Sequence, residues 1–156
     1  MGKRILLVDD TKKHRKAGIA QLTALGHEVV AVSGYEDAVN ELRKGEKFDI
    51  ALLDLLMPAE GMTLGGDGLK YLGQPIDIGF SLAMKLALEG IKEIAVVTDM
   101  GHHSHPASAI FDWFLGKKLT ICGSNVRCMH AHIIRDNDDV KDWAAALESL
   151  LGGEEE

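Results

Sequence analysis

Two short apolar runs, each closed by acid, constrain the fold of this chain more than any other feature. Within Phe48 to Pro58, the residues Ile50, Ala51, Leu52 and Leu53 form an unbroken apolar stretch that ends at Asp54. The stretch is too short for a helix and turn chemistry stops it, which is how a strand covered on both faces reads. Ile5 to Val8 repeats the pattern and is closed by Asp9 and Asp10. Open α/β sheets bind ligands beyond the carboxyl ends of their strands, so these three carboxylates are candidates for chemistry. A strand-end aspartate that only caps the next turn is the plainer alternative. The recurrence of acid at two strand ends weighs against it.

The rest of the chain alternates accordingly. After the first strand, Ile19, Leu22 and Leu25 at helical spacing predict a helix that Gly26 stops. Val29 to Val32 is the second strand, and Ala38, Val39 and Leu42 mark the buried side of a second helix ending at Gly45. The stretch from 59 to 75 is rich in glycine and without periodicity, a long loop after the third strand. A third helix carries Gly79, Leu82, Ala83, Leu86 and Ala87 on one stripe, and Ile94 to Val97 is a fourth strand closed by Thr98 and Asp99. A short helix follows around Ala109 to Leu115. Leu119 to Cys122 and Val126 to His130 flank Gly123-Ser124-Asn125 as a hairpin extension before the last core strand. Val140, Trp143, Ala144, Leu147, Leu150 and Leu151 predict a closing amphipathic helix, and 152–156 a disordered acidic tail. Repeated β-α units require right-handed crossovers and a parallel sheet. The expected fold is α/β, a doubly wound five-stranded sheet of flavodoxin-like order 2-1-3-4-5, in a single domain over 1–151.

A formal charge of −7 argues against direct binding of nucleic acid or an anionic membrane. No run approaches a membrane span, and the start leads into a strand rather than a signal-peptide core, so a cytoplasmic location is expected. Cys122 and Cys128 are too few for a disulfide framework. The loop from 59 to 75 has neither a GK[ST] ending nor a GxGxxG placed after a strand, which removes nucleotide-loop readings.

In the order 2-1-3-4-5, strands one and three are neighbours and bring Asp9, Asp10 and Asp54 together. Three carboxylates raise one another's proton affinity unless a counter-charge is present. Magnesium, which favours one or two carboxylates plus a substrate phosphate, is the expected cofactor, and a carboxylate beside it is positioned to form an aspartyl phosphate.

Ile5-Leu6-Leu7-Val8-Asp9-Asp10, Leu25-Gly26-His27-Glu28-Val29, the run from Asp49 to Pro58, and Val96-Val97-Thr98 together resemble the receiver domain of two-component response regulators, closely over Lys3 to Pro58 and loosely beyond. The resemblance implies that Asp54 accepts the phosphoryl group, that Asp9, Asp10 and the Leu56 carbonyl join it in holding Mg2+, and that Thr98 hydrogen-bonds the phosphoryl oxygens. It implies a sensor histidine kinase as donor, an unknown downstream protein as output, and a regulatory phosphoacceptor rather than an enzyme. Two positions depart from the pattern. Where the family has a lysine followed by proline at the end of strand five, this chain has His130 and Ala131, and where it has a switch aromatic, this chain has Arg127. At that place His130 can donate a hydrogen bond to phosphate but is no permanent cation, and Lys70, Lys117 or Lys118 are the candidates to substitute for the lysine through space. The basic run Lys12 to Lys16 corresponds to the kinase-docking helix, although such a run is more often a solvated face.

His102, His103, His105, Cys128 and His132 gather near the ends of strands four and five, which invites a second site for Zn2+ or another transition metal. No CxxC or HExxH spacing supports it. These departures favour the alternative of a pseudo-receiver binding module without phosphotransfer. A metal-dependent phosphohydrolase is a third reading, weakened by the lack of a separate general acid.

Overall fold

The computed structural model describes residues 2–61, 64–101 and 104–152. Its centre is a six-stranded sheet built from β1 (Arg4–Val8), β2 (Glu28–Val32), β3 (Ile50–Leu53), β6 (Glu93–Thr98), β7 (Leu119–Ile121) and β8 (Ser124–His130), in the order β2-β1-β3-β6-β8-β7. The first five are parallel and correspond to the expected order 2-1-3-4-5. The expected hairpin extension is β7, which turns back antiparallel on β8 and covers its edge. Cys122, at the turn, holds a left-handed backbone at φ 50° beside Gly123 at φ 80°.

Alternation of side chains across the pleat divides the core in two. Leu6, Val8, Ala51, Leu53, Ile94, Val96, Val126 and Cys128 face α2 (Tyr35–Arg43), α3 (Ile78–Leu88) and α4 (Pro106–Phe111). Ile5, Leu7, Ile50, Leu52, Ala95 and Val97 face α1 (Lys12–Ala24) and α5 (Trp143–Leu151). Both faces are covered, which is why the strands lack a polar alternation.

Three expectations need correction. In α1 the buried residues are His14, Gly18 and Leu22, while Ile19 and Leu25 are exposed. Gly18 sets that face, because a methyl group there would collide with Leu7 and meet Trp143, so only glycine lets the helix approach so closely. The long loop is pinned at its base by a two-stranded ladder of β4 (Met57–Pro58) and β5 (Pro75–Ile76), with a 3-10 segment at Gly66–Tyr71. The closing helix begins only at Trp143. Val140 lies instead in a second hairpin, β9 (Ile133–Arg135) with β10 (Asp139–Lys141), that the amphipathic stripe conceals. Among the described residues, no helix is long and apolar enough to cross a membrane.

Candidate functional site

Each residue of the acidic site begins where a central strand stops. Asp9 follows β1, Asp54 follows β3, and Thr98 is the last residue of β6. Parallel pairing sets Val8 beside Leu53 and Leu53 beside Val96, so the three ends lie side by side. The backbone N–H of Asp54 donates to Val8 O (2.8 Å), continuing the ladder into the site. One ligand atom from each of Asp9, Asp10 and Asp54 lies within 4.8 Å of the others, the close cluster that strand order predicts. Asp9 and Asp54 are buried, and Asp10 is exposed at the mouth.

The counter-charge comes from an unexpected place. Lys141, the last residue of β10, is fully buried, and its Nζ donates to Asp9 Oδ2 (2.7 Å), Asp54 Oδ1 (2.9 Å) and Val97 O (3.1 Å). Helix α1 clamps its backbone: Lys141 N–H donates to His14 Nδ1 (3.2 Å), and Gln21 Nε2 donates to Lys141 O (3.0 Å). With Nδ1 accepting, the His14 proton sits on Nε2, 3.4 Å from Asp99 Oδ2. The indole of Trp143 donates to His14 O (3.0 Å) while Lys141 Nζ lies 5.1 Å from its ring centroid. His14, centred in the basic run, is thus part of the scaffold and not of a solvated face.

These contacts correct the expected substitution. His130 Nε2 pairs with Asp112 Oδ1 (2.9 Å) and packs edge-on against Phe111, so it is tied to the α4 segment. Lys117 is on the exposed turn before β7 and Lys70 in the loop after β4. Lys141 is the residue that reaches the aspartates.

Burial pushes the Asp54 carboxyl up to about 8; Lys141 pulls it down, whereas Asp9 and Asp99 add to the rise. The Asp10 carboxyl is also raised, chiefly by partial desolvation at the mouth of the pocket. Lys141 is raised because attraction to the two carboxylates outweighs its desolvation. With all three carboxylates ionised, the one ammonium would leave two negative charges, and those hard oxygen donors fit a divalent cation. The Asp54 backbone is held just as closely: Gly79 N–H donates to Leu55 O (3.0 Å) at the start of α3, and a Cβ on Gly79 would collide with Asp54 O. Leu56, buried, continues the turn two residues beyond Asp54. Thr98 is buried and its hydroxyl oxygen accepts Met100 N–H (3.1 Å).

Among the described residues, no second metal cluster forms. Among the described residues, the Asp9–Asp10–Asp54 group is the one His/Cys/Asp/Glu cluster with metal-ligand spacing. His102 and His103 lie outside the described residues. His105 caps α4, its Nδ1 accepting Ala107 N–H (3.1 Å), and burial pushes the Cys128 thiol up to about 12, which keeps it protonated. His132 lies beyond the end of β8, exposed.

A doubly wound sheet of this order, with acids at the ends of its first and third strands, is the fold of CheY-like response-regulator receiver domains, and this chain has that fold. It is similar to response regulator protein TrrA from Thermotoga maritima, solved in complex with Mg(2+)-BeF, at 20% identity over 96% of this chain and 99% of that one, with a TM-score of 0.56. A CheY-like receiver domain protein from Methanospirillum hungatei JF-1 aligns at 20% identity over 83% and 82% of the two chains, TM-score 0.53. In sequence, 58 residues (37% of this chain) are 38% identical to a probable histidine kinase 4 from Oryza sativa subsp. japonica, and cover 6% of that protein. No family model matches the chain.

Proposed function

We propose that this chain is a phosphoacceptor switch, a single receiver-like domain over 1–151 that takes a phosphoryl group on Asp54 from a histidine kinase. The observation that carries the reading is the convergence of Asp9, Asp10 and Asp54 on one strand-end pocket with a buried ammonium bonded to two of them. In the transfer, an Asp54 carboxylate oxygen forms the O–P bond as the P–N bond of a phosphohistidine breaks and its electron pair returns to the imidazole. Lys141 and the Leu55 N–H, which donates to Asp54 Oδ1 (2.9 Å), fix the carboxylate by one oxygen. Lys141 is placed to neutralise the incoming phosphoryl oxygens, and the Thr98 hydroxyl to donate to them. Asp9, Asp10, Asp54 and the Leu56 carbonyl would hold Mg2+, which would supply the remaining charge compensation. Support for the donor class comes from the receiver fold and from the kinase relative.

One observation favours a second reading. Lys141 already pairs with Asp9 and Asp54, so it can serve as a permanent internal cation in a pseudo-receiver that binds a partner without phosphotransfer. Incubation with a small phosphodonor and Mg2+, followed by intact mass, separates the two. A phosphate gained by wild type and absent from Asp54→Asn supports the switch; no phosphate on either protein selects the pseudo-receiver.

A further inference from the structure

A cavity of about 280 Å³ opens between the end of β8, the turn leading into β7, and α5. It contains none of Asp9, Asp10, Asp54, Thr98 or Lys141. Its polar walls are Lys117, Arg127, His130, His132 and Ser149, and among the described residues no carboxylate lines it. In a chain of net charge −7 this is a local reversal of sign. Asp112 does not line the cavity, although it pairs with His130 there.

Arg127 adds an independent observation. It lines this cavity from β8, half-buried and without an ion pair among the described residues; its Nε is sealed from solvent with no hydrogen-bond partner, which leaves the outer N–H groups of the guanidinium to meet a ligand. A buried donor without an acceptor is destabilising, and more so at a charged group. A guanidinium edge satisfies itself best on a planar or tetrahedral oxyanion, where parallel N–H donors bind two oxygens. Lys117 adds a second positive charge to the lining, and Ser149 a hydroxyl. The volume is sufficient for a small anion and a modest organic body.

We infer that this cavity binds a small phosphate-bearing anion, with Arg127 and Lys117 as its principal contacts. The assignment is independent of phosphotransfer at Asp54 and places the ligand on β8 and α5 rather than at the strand ends of β1 and β3.

The test is titration of inorganic phosphate and, separately, glycerol 3-phosphate, at constant ionic strength and without Mg2+, into the Asp54→Asn protein, which removes the acceptor carboxylate. Calorimetry reads affinity, and ¹⁵N–¹H spectra follow the Arg Nε–H and backbone amides. Saturable shifts centred on Arg127 Nε–H and the Gly116–Lys117 amides are expected, with affinity falling roughly tenfold or more in Arg127→Met. Lys117→Met, at an exposed position, repeats the test if Arg127→Met unfolds, and is expected to weaken binding several-fold. Tighter binding of glycerol 3-phosphate than of inorganic phosphate identifies an ester as the ligand class; equal binding identifies the phosphate group alone. Absence of saturation, shifts spread evenly over the surface, or affinity unchanged in Lys117→Met and in a folded Arg127→Met overturns the assignment.

Discussion

Lys141→Met is the substitution on which the geometry bears most directly. Methionine keeps the length of the buried stem and removes the ammonium, which leaves Asp9 Oδ2, Asp54 Oδ1 and Val97 O without the donor they share. Breaking a buried ion pair from one side costs about 3–5 kcal/mol, because the remaining charge is uncompensated. The position in that range depends on pH. With its carboxyl raised to about 8, Asp54 is largely neutral near pH 6 in the metal-free protein, so Asp9 is the carboxylate that loses a charge partner. Near pH 9 Asp54 is ionised as well. The expected loss is therefore about 3 kcal/mol at the lower pH and about 5 kcal/mol at the higher. The sign follows from linkage: a carboxyl raised in the folded state contributes stability that is complete below its unfolded value, about 3.9, and lost as pH rises through the folded value. Removing Lys141 raises it further, so the deficit grows with pH. Urea denaturation in the presence of a chelator, at both pH values, measures it, and in a thermal scan the smaller figure corresponds to a fall in Tm of about 6–12 °C. A loss below about 1 kcal/mol at both pH values would place Lys141 with surface ion pairs. A deficit larger at pH 6 than at pH 9 would refute the charge assignment.

Three further outcomes are expected. Mg2+ should raise Tm more at pH 8.5 than at pH 6, because the proton on Asp54 must leave before its carboxylate meets a cation; equal shifts at both pH values in scanning calorimetry would contradict this. His130→Ala should leave phosphodonor labelling of Asp54 within about twofold of wild type while Lys141→Met abolishes it, since only the lysine contacts Asp54; intact mass distinguishes them. Gly79→Ala, whose Cβ would collide with Asp54 O and press on Leu55 Cα, should cost about 1–3 kcal/mol in chemical denaturation and lower labelling as the acceptor turn shifts.

The acidic residues were legible because strands covered on both faces leave an uninterrupted apolar run, and a run of that kind shows where its strand ends. Asp9, Asp54 and Thr98 needed only strand order to be brought together. Lys141 was not legible by counting along the fifth strand, since it arrives eleven residues after His130 by way of a hairpin. A signal existed: Ile133-Ile134, the turn residues Asp136-Asn137-Asp138, then Val140, a hairpin pattern masked by the apolar stripe of α5 into which Val140 happens to fit. The face of α1 misled for another reason. Helical spacing selected Ile19 and Leu25, but a close approach to Leu7 and Trp143 decides which side packs, and that depends on the missing side chain of Gly18.

Delivery of the ammonium by β10 has a consequence for inheritance. Positions 130 and 131 are relieved of that duty at the acidic site, whereas His14 and Gln21, distant in order and remote from any reacting atom, acquire one, because they anchor the main chain that carries the lysine. Descendants of this chain should therefore resist change on the first helix.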